Sequence, residues 1–323
     1  MFRKHLKLHN YRECASMDNR NNNYNEKINN SVEINSILMD VFGESDLEYQ
    51  VLGNIKLLRN IVIKILKYNV ILKIYGDKNR WKREIFALSL FEREEYTPRL
   101  YDFGTKKDIG WAVIPYVDGT LVKDQFTRSK RKEKKETLFK MGLFLRNIHD
   151  NYIYKDKNIY VTYTPFKVID SKKFIYNNFK KNEKRISEAE FMDKIFYDTF
   201  EKIEENYFKV VNSDISQITY CHNDYGIRNL IENKKNYILI DFENGYFSER
   251  ELDIANVLLD YYDNEEFKDC FLSGYEKDRT LLNLEKINFY MLLKCIDICS
   301  WSKEKDFNYF SQAREVLEEL ICR

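Results

Sequence analysis

Between Leu47 and Gly76 the chain passes through three short β-prone runs, "YQVLG", "NIVIKILK" and "NVILKIYG"; after Gly119 the text turns to long amphipathic helical patterns. That single change of period, from two to about 3.6 residues, constrains the fold more than any other feature. Strands gathered at one end and helices at the other give an α+β layout with a small antiparallel sheet in the first lobe. Tyr68-Asn69 makes a tight turn between the second and third strands. In "DKNRWKREIFALSLFERE", Trp81, Ile85, Leu88 and Phe91 recur three to four residues apart, which predicts a helix from about Asn79 to Glu94. "TPRLYDFG" and "GWAVIPYVDGTLV" predict two more strands around "GTKKDIG", closing at the Asp118-Gly119 turn.

Past that turn, "KRKEKKETLFKMGLFLRNIHD" puts Leu138, Met141, Leu145 and Ile148 on one helical face, and further amphipathic stretches fill 171–212 and 280–321. Residues 1–46 read as a polar, Asn-rich tail and lead-in, with "DNRNNNYNEKINN" offering nothing to pack. The expected division is then 47–119 for the first lobe and 120–323 for the second.

Composition narrows the setting. With 53 Lys and Arg against 52 Asp and Glu, the formal charge is +1, so no nucleic-acid or acidic-membrane partner is expected. The longest apolar run, "IVIKILKYNVILKIY", is broken by Lys64, Lys67 and Lys73, which excludes a membrane span there. No apolar signal segment opens the sequence and six cysteines are scattered along it, so a cytoplasmic protein with reduced thiols is expected. Cys295 and Cys299 are placed on one helix face as core residues, since no second ligand pair accompanies them for zinc.

The chemistry concentrates in "YCHNDYGIRNLIENKKNYILIDFENG", Tyr220 to Gly245. "NLI" and "YILI" flank the polar turn "ENKKN" and predict a hairpin. Asp224 and Asn229 lie on the loop entering it and Asp241 where it leaves, so antiparallel pairing brings three oxygen-bearing side chains together. Mg²⁺ takes one or two protein oxygens with phosphate and water completing its shell, a role that suits Asn229 and Asp241. Asp224, left over, can accept a proton from an attacking hydroxyl, with His222 orienting the loop. An Asx turn would also use H-x-D followed by Asn. Upstream, Lys73 in "VILKIY" and Glu84 on the next helix fit a phosphate-neutralising cation held by a carboxylate; a solvated strand edge and a helix surface are the alternatives.

"VILKIY" with Glu84, "CHNDYGIRN" and "ILIDFE" resemble the protein-kinase-like fold of the choline/ethanolamine kinase and aminoglycoside phosphotransferase superfamily, over residues 47 to 323. "IDFENGYFSERELDIANVLLDYY" is most similar to the choline/ethanolamine kinases. The resemblance implies a bilobal kinase using ATP and Mg²⁺, with Asp224 as base, Asn229 and Asp241 on the metal, and Lys73 with Glu84 on the phosphates. It further implies that Asp253 braces the loop, that Asp260 and Glu243 face the cation of an amino alcohol, and that adenine meets the backbone around Val113, Ile114, Tyr116 and Val117. Arg228 stands where tyrosine kinases carry an arginine and would neutralise the transferred phosphate; a surface arginine is the other reading. "GNIKLLRN" departs from a glycine-rich loop, so cover for the nucleotide would come from amides near Asn54 to Leu57. A Trp-rich cage for quaternary ammonium is also missing: Tyr261, Tyr262, Tyr290 and Trp301 are available either for a partial cage or for the core.

The expected activity is transfer of the ATP γ-phosphate to a hydroxyl of a small molecule, an amino alcohol such as choline or ethanolamine first. An aminoglycoside acceptor is the neighbouring alternative. A catalytically silent, spore-coat-type relative is the alternative of another class, opposed by the five intact residues Lys73, Glu84, Asp224, Asn229 and Asp241. A protein kinase is disfavoured because no D-F-G or A-P-E follows the loop.

Overall fold

The computed structural model describes residues 31–52, 60–154, 171–211, 218–234, 236–276 and 282–322. The Asn-rich stretch 1–30 and the amides of Asn54 to Leu57 lie outside them. The chain divides into two compact units, one up to Asp118 and one from Gly119 onward.

The first unit is a five-stranded antiparallel sheet in the order β1-β2-β3-β5-β4, formed by β1 (Tyr49–Val51), β2 (Asn60–Ile65), β3 (Val70–Tyr75), β4 (Asp102–Lys106) and β5 (Ile109–Pro115). β2 and β3 pair from Ile65↔Val70 outward, and Asn69 takes a left-handed φ of 51° to close their turn. Asparagine tolerates that conformation because its short amide bonds locally. β3 is interior and all six of its residues are buried, so "VILKIY" reads as a continuous run rather than an alternation. Helix α2 (Lys78–Leu90) starts at Asp77, whose carboxylate accepts from the Asn79 amide at 2.7 Å, and is tied to β5 by Trp81 Nε1 donating to the Trp111 carbonyl.

The lead-in before Leu47 holds an element that the sequence reading left undefined. Helix α1 (Ser31–Phe42) sends Ile37 and Leu38 into the same core as Ile63, Ile65, Leu72 and Ile74. Phe42 stacks on Tyr68 at 5.2 Å, and Lys106 bonds to the Ser36 carbonyl at 3.0 Å and to Asp40 at 2.6 Å. Burying two such aliphatic side chains contributes about 3 to 6 kcal/mol, and Ile34, Val41 and Phe42 pack on the same core to hold the helix on the sheet.

The second unit is mostly helical. Its elements are α3 (Val122–Arg128), α4 (Arg131–Asn151), α5 (Ser171–Ser187), α6 (Lys194–Val210), α7 (Glu251–Asp260), α8 (Glu265–Glu276), α9 (Leu284–Ser302) and α10 (Phe307–Cys322), with two small sheets between. One sheet pairs β7 (Ile218–Cys221) with β10 (Tyr246–Glu249); the other runs β6 (Thr120–Leu121), β8 (Leu230–Asn233), β9 (Asn236–Leu239). α4 and α8 cross at reciprocal glycines: a Cβ on Gly142 would meet the Phe271 carbonyl at 2.2 Å, and one on Gly274 the Phe139 carbonyl at 2.0 Å. Cys295 and Cys299 are buried on α9, and the five described cysteines are free. Among the described residues no helix is long and apolar enough to cross a membrane.

Candidate active site

In the first unit, Lys73 lies on β3 and Glu84 on α2, with Nζ and Oε2 2.6 Å apart and side chains only 8% and 2% exposed. A solvated strand edge and a helix surface are therefore excluded for this pair. Losing one partner of such a pair leaves a buried charge and costs about 3 to 5 kcal/mol. Nearby, β5 pairs with β3 as far as Pro115 but with β4 only as far as Val113. Past Val113 that edge has no strand partner among the described residues, and Pro115 has no N–H. The Val113 carbonyl accepts from the Tyr101 amide and the Tyr116 amide donates to Asn69, while Lys64 Nζ sits 3.4 Å from the centre of the Tyr116 ring. Of the expected adenine contacts, Ile114 is held in the β3 ladder and Val117 lies beyond it.

In the second unit the hairpin forms as read from the sequence. Leu230 pairs with Leu239, and the Ile240 amide donates to the Asn229 carbonyl at 3.0 Å, so Asp241 follows directly beside the residue that enters β8. Asp241 adopts φ 66°, ψ 59°, a left-handed conformation that costs an L-residue about 1 to 2 kcal/mol and clusters at functional loops. Asn223, two residues after Cys221 on the entering loop, is left-handed as well, at φ 57°. Glu243 is buried in the 3₁₀ turn directly after Asp241.

The loop is fixed from below by Asp253 near the start of α7. Its two oxygens accept from the amides of His222 at 2.7 Å and Asn223 at 2.6 Å. His222 Nε2 donates to the Ile240 carbonyl at 3.0 Å, so the imidazole joins the two ends of the hairpin. His149, fully buried on α4, completes the support: Nε2 lies 3.3 Å from Asp253 and Nδ1 2.7 Å from the Tyr275 hydroxyl. Burial, opposed by Asp253, pushes the His149 pKa down, so the ring is neutral. A carboxylate only accepts, hence Nε2 carries the proton and Nδ1 takes the Tyr275 O–H.

Above this support, both oxygens of Asp224 are engaged: Arg228 Nη2 donates to Oδ1 at 2.6 Å and Asn229 Nδ2 to Oδ2 at 3.0 Å. Burial alone would raise the Asp224 pKa, but Arg228, Lys294 and His222 outweigh it and hold the carboxyl below its ordinary 3.8. Asp260, the last residue of α7, stands 3.8 Å from Arg228 Nη1. Its own pKa is raised, by burial first and by Asp224 next, against Arg228 and Lys294. Arg228 is thus shared between two carboxylates, which hold it firmly protonated against its burial. The structure brings Asp224, Arg228, Asn229 and Asp260 together and places Asp241 one step away through the Ile240 bond. Tyr261, directly after Asp260, packs 5.8 Å from Phe126 and 5.8 Å from Phe267, and burial, with Asp260 beside it, pushes its hydroxyl pKa up against Arg228. Tyr262 and Tyr290 are core residues whose hydroxyls donate to Glu319 and Glu249, and Trp301 pairs with Tyr309 at 6.0 Å.

Lys294, His149 and Tyr309 were not singled out from the sequence. Lys294 had a visible signal, a cation inside the apolar "NFYMLLKCIDICSW" of α9. His149 had none, because its partner Asp253 lies 104 residues away.

The choline/ethanolamine kinase family model matches residues 52–289. No curated protein matches the chain by sequence. Among solved structures, choline kinase LicA from Streptococcus pneumoniae in its complex with AMP superposes with a TM-score of 0.64 at 20% identity, covering 90% of this chain and 98% of that one. Plasmodium vivax ethanolamine kinase gives 0.60 at 19% identity over 94% and 89% of the two chains. A thermostable mutant of aminoglycoside phosphotransferase APH(4)-Ia gives 0.62 at 10% identity over 89% and 98%. These likenesses show the bilobal kinase-like fold. With more than two thirds of its length matched by the family model, the chain belongs to the choline/ethanolamine kinase family of small-molecule phosphotransferases.

Proposed function

We propose that the enzyme transfers the γ-phosphate of ATP to a hydroxyl of a small amino alcohol, choline or ethanolamine, with Mg²⁺ as cofactor, in the cytoplasm. The observation that carries this reading is the convergence of Asp224, Asn229 and Asp241 on one hairpin, with the loop pinned by Asp253. The donor set fits a hard cation. Asn229 commits its amide nitrogen to the Asp224 carboxylate and carbonyl at 3.0 and 2.7 Å, which turns its oxygen the other way, and Asp241 adds a carboxylate. Bound there, Mg²⁺ supplies the charge that neutralises phosphate oxygens during transfer.

The chain's own groups divide the remaining work. Lys73, held by Glu84, is a fixed cation for nucleotide phosphate. The Val113 to Val117 edge offers backbone groups to adenine. Asp224 receives the acceptor hydroxyl; each carboxylate oxygen retains a lone-pair direction beyond the bond it already accepts. Its lowered pKa keeps it ionised at neutral pH. A weak base suffices, because a loose phosphoryl-transfer transition state needs the hydroxyl oriented more than deprotonated. Asp260 takes the acceptor's cation.

The test is ADP release from ATP and Mg²⁺ by purified protein with choline, ethanolamine, other amino alcohols and aminoglycosides as acceptors. Stimulation by an amino alcohol is the expected result, and Asp224→Ala should lower the rate about 10² to 10⁴-fold. An unchanged rate in that variant would overturn the assignment of Asp224.

A further inference from the structure

Asp260 is a partly exposed carboxylate, its side chain 23% exposed, and open to a ligand's donors. No hydrogen-bond donor reaches it among the described residues; its partner Arg228 stands at 3.8 Å, an ion-pair distance outside hydrogen-bonding range. It leans over the loop closely enough that a Cβ on Gly226 would lie 3.3 Å from Oδ2. Two cations, Arg228 and Lys294, already face it, and Asp224 is the other carboxylate in the group. A cationic acceptor beside Asp260 faces these two like charges as well as the two carboxylates. Charge alone gives it little, and what it can add is N–H donors, which no described residue gives Asp260.

The rings around the group do not replace those donors. Tyr261 is packed against Phe126 and Phe267, and Tyr262 and Tyr290 are buried in the core. The hydroxyls of Tyr309, paired with Trp301, and of Tyr261 both feel Asp260, but neither donates a hydrogen bond to it, and these rings are not an enclosing cage.

We propose that Arg228 sets acceptor specificity: by standing between Asp224 and Asp260 it admits an ammonium that donates N–H bonds to Asp260 and disfavours a quaternary ammonium. This rests on the amino-alcohol reading above and names ethanolamine-type acceptors over choline. Hydrogen bonds to charged groups are worth about tenfold to a hundredfold in affinity, which is the size of the discrimination expected.

The experiment is a series of acceptors that keeps the hydroxyl and the positive charge while removing N–H groups one at a time: ethanolamine, its N-methyl and N,N-dimethyl derivatives, and choline. In the wild-type enzyme kcat/KM should fall along the series, with at least about a tenfold loss at the last methyl. Arg228→Gln should shrink the ethanolamine-to-choline ratio by about tenfold, on the same reckoning, and Arg228→Lys, which keeps the charge, should restore it. Asp260→Asn should raise KM for ethanolamine while the ATP-induced rise in Tm is kept, which shows a folded, nucleotide-binding protein. If every amine is phosphorylated and the ratio is the same in wild type and Arg228→Gln, the specificity role of Arg228 falls and the amino-alcohol reading stands. If no member of the series is phosphorylated or raises the Tm of the wild type while ATP does, the amino-alcohol reading falls and this proposal with it.

Discussion

A histidine sealed at 0% exposure between a carboxylate and a tyrosine hydroxyl is informative about pH. His149 stays neutral in the fold because burial lowers its pKa beneath the ordinary 6.5, whereas in the unfolded chain it takes up a proton below that value. The unfolded state then binds more protons than the folded one, so this contribution is complete above pH 6.5 and is lost as pH falls toward the depressed folded value. The expected slope is up to about 1.4 kcal/mol per pH unit for one proton. Urea unfolding of wild type and His149→Gln at pH 7.5, 6.5, 5.5 and 5.0 measures it. The variant should lack this component, and parallel curves would refute the assignment. Among single residues, Lys73 and Glu84 were legible from sequence because their order and spacing match a chemical need. Arg228 was legible only as a position: nothing in "DYGIRN" announces that its guanidinium is shared with Asp260, 32 residues on.

Elements whose partners are local could be read, and those whose partners are distant could not. The hairpin of β8 and β9 and the β2–β3 turn follow from alternation and turn chemistry within about a dozen residues. β10 pairs with β7 across more than twenty residues and was not anticipated; "YFSE" is too short to signal a strand without that partner. α1 was legible in principle, since "SVEINSILMDVF" carries Ile34, Ile37, Leu38, Val41 and Phe42 at helical spacing, but it directly follows the Asn-rich stretch and reads as its continuation. At the crossing of α4 and α8, glycine is dictated by the neighbouring backbone. Gly274→Ala should press a methyl on the Phe139 carbonyl and cost about 1 to 3 kcal/mol, the usual range for overpacking. A Tm unchanged within a degree would show that the two helices separate freely. Helix propensity alone would make alanine the better residue by about 1 kcal/mol, so the sign of the effect decides which term wins.

Over the whole molecule, a formal charge of +1 and a pI near 7.5 leave no large net field to attract a polyanion, in keeping with a small-molecule substrate. The second unit draws its site from segments far apart in the chain: α4 gives His149, the β7 exit gives His222 to Asn229, α7 gives Asp253 and Asp260, and α9 gives Lys294. Composition could bound the class of such a protein and motifs could find its loop, but the closure of these segments on one another is a property of packing. Asp253 is where that closure has a measurable consequence. Its carboxylate, itself fully buried with His149 behind it, accepts from the amides of His222, which is buried, and of Asn223, which is half-buried. Deuterium should enter the His222 amide only through cooperative opening of the helical unit, which makes it one of the unit's slow exchangers even though it belongs to a loop. The root of the loop would then be as static as the core beneath it, while its half-buried and exposed residues beyond are not so held.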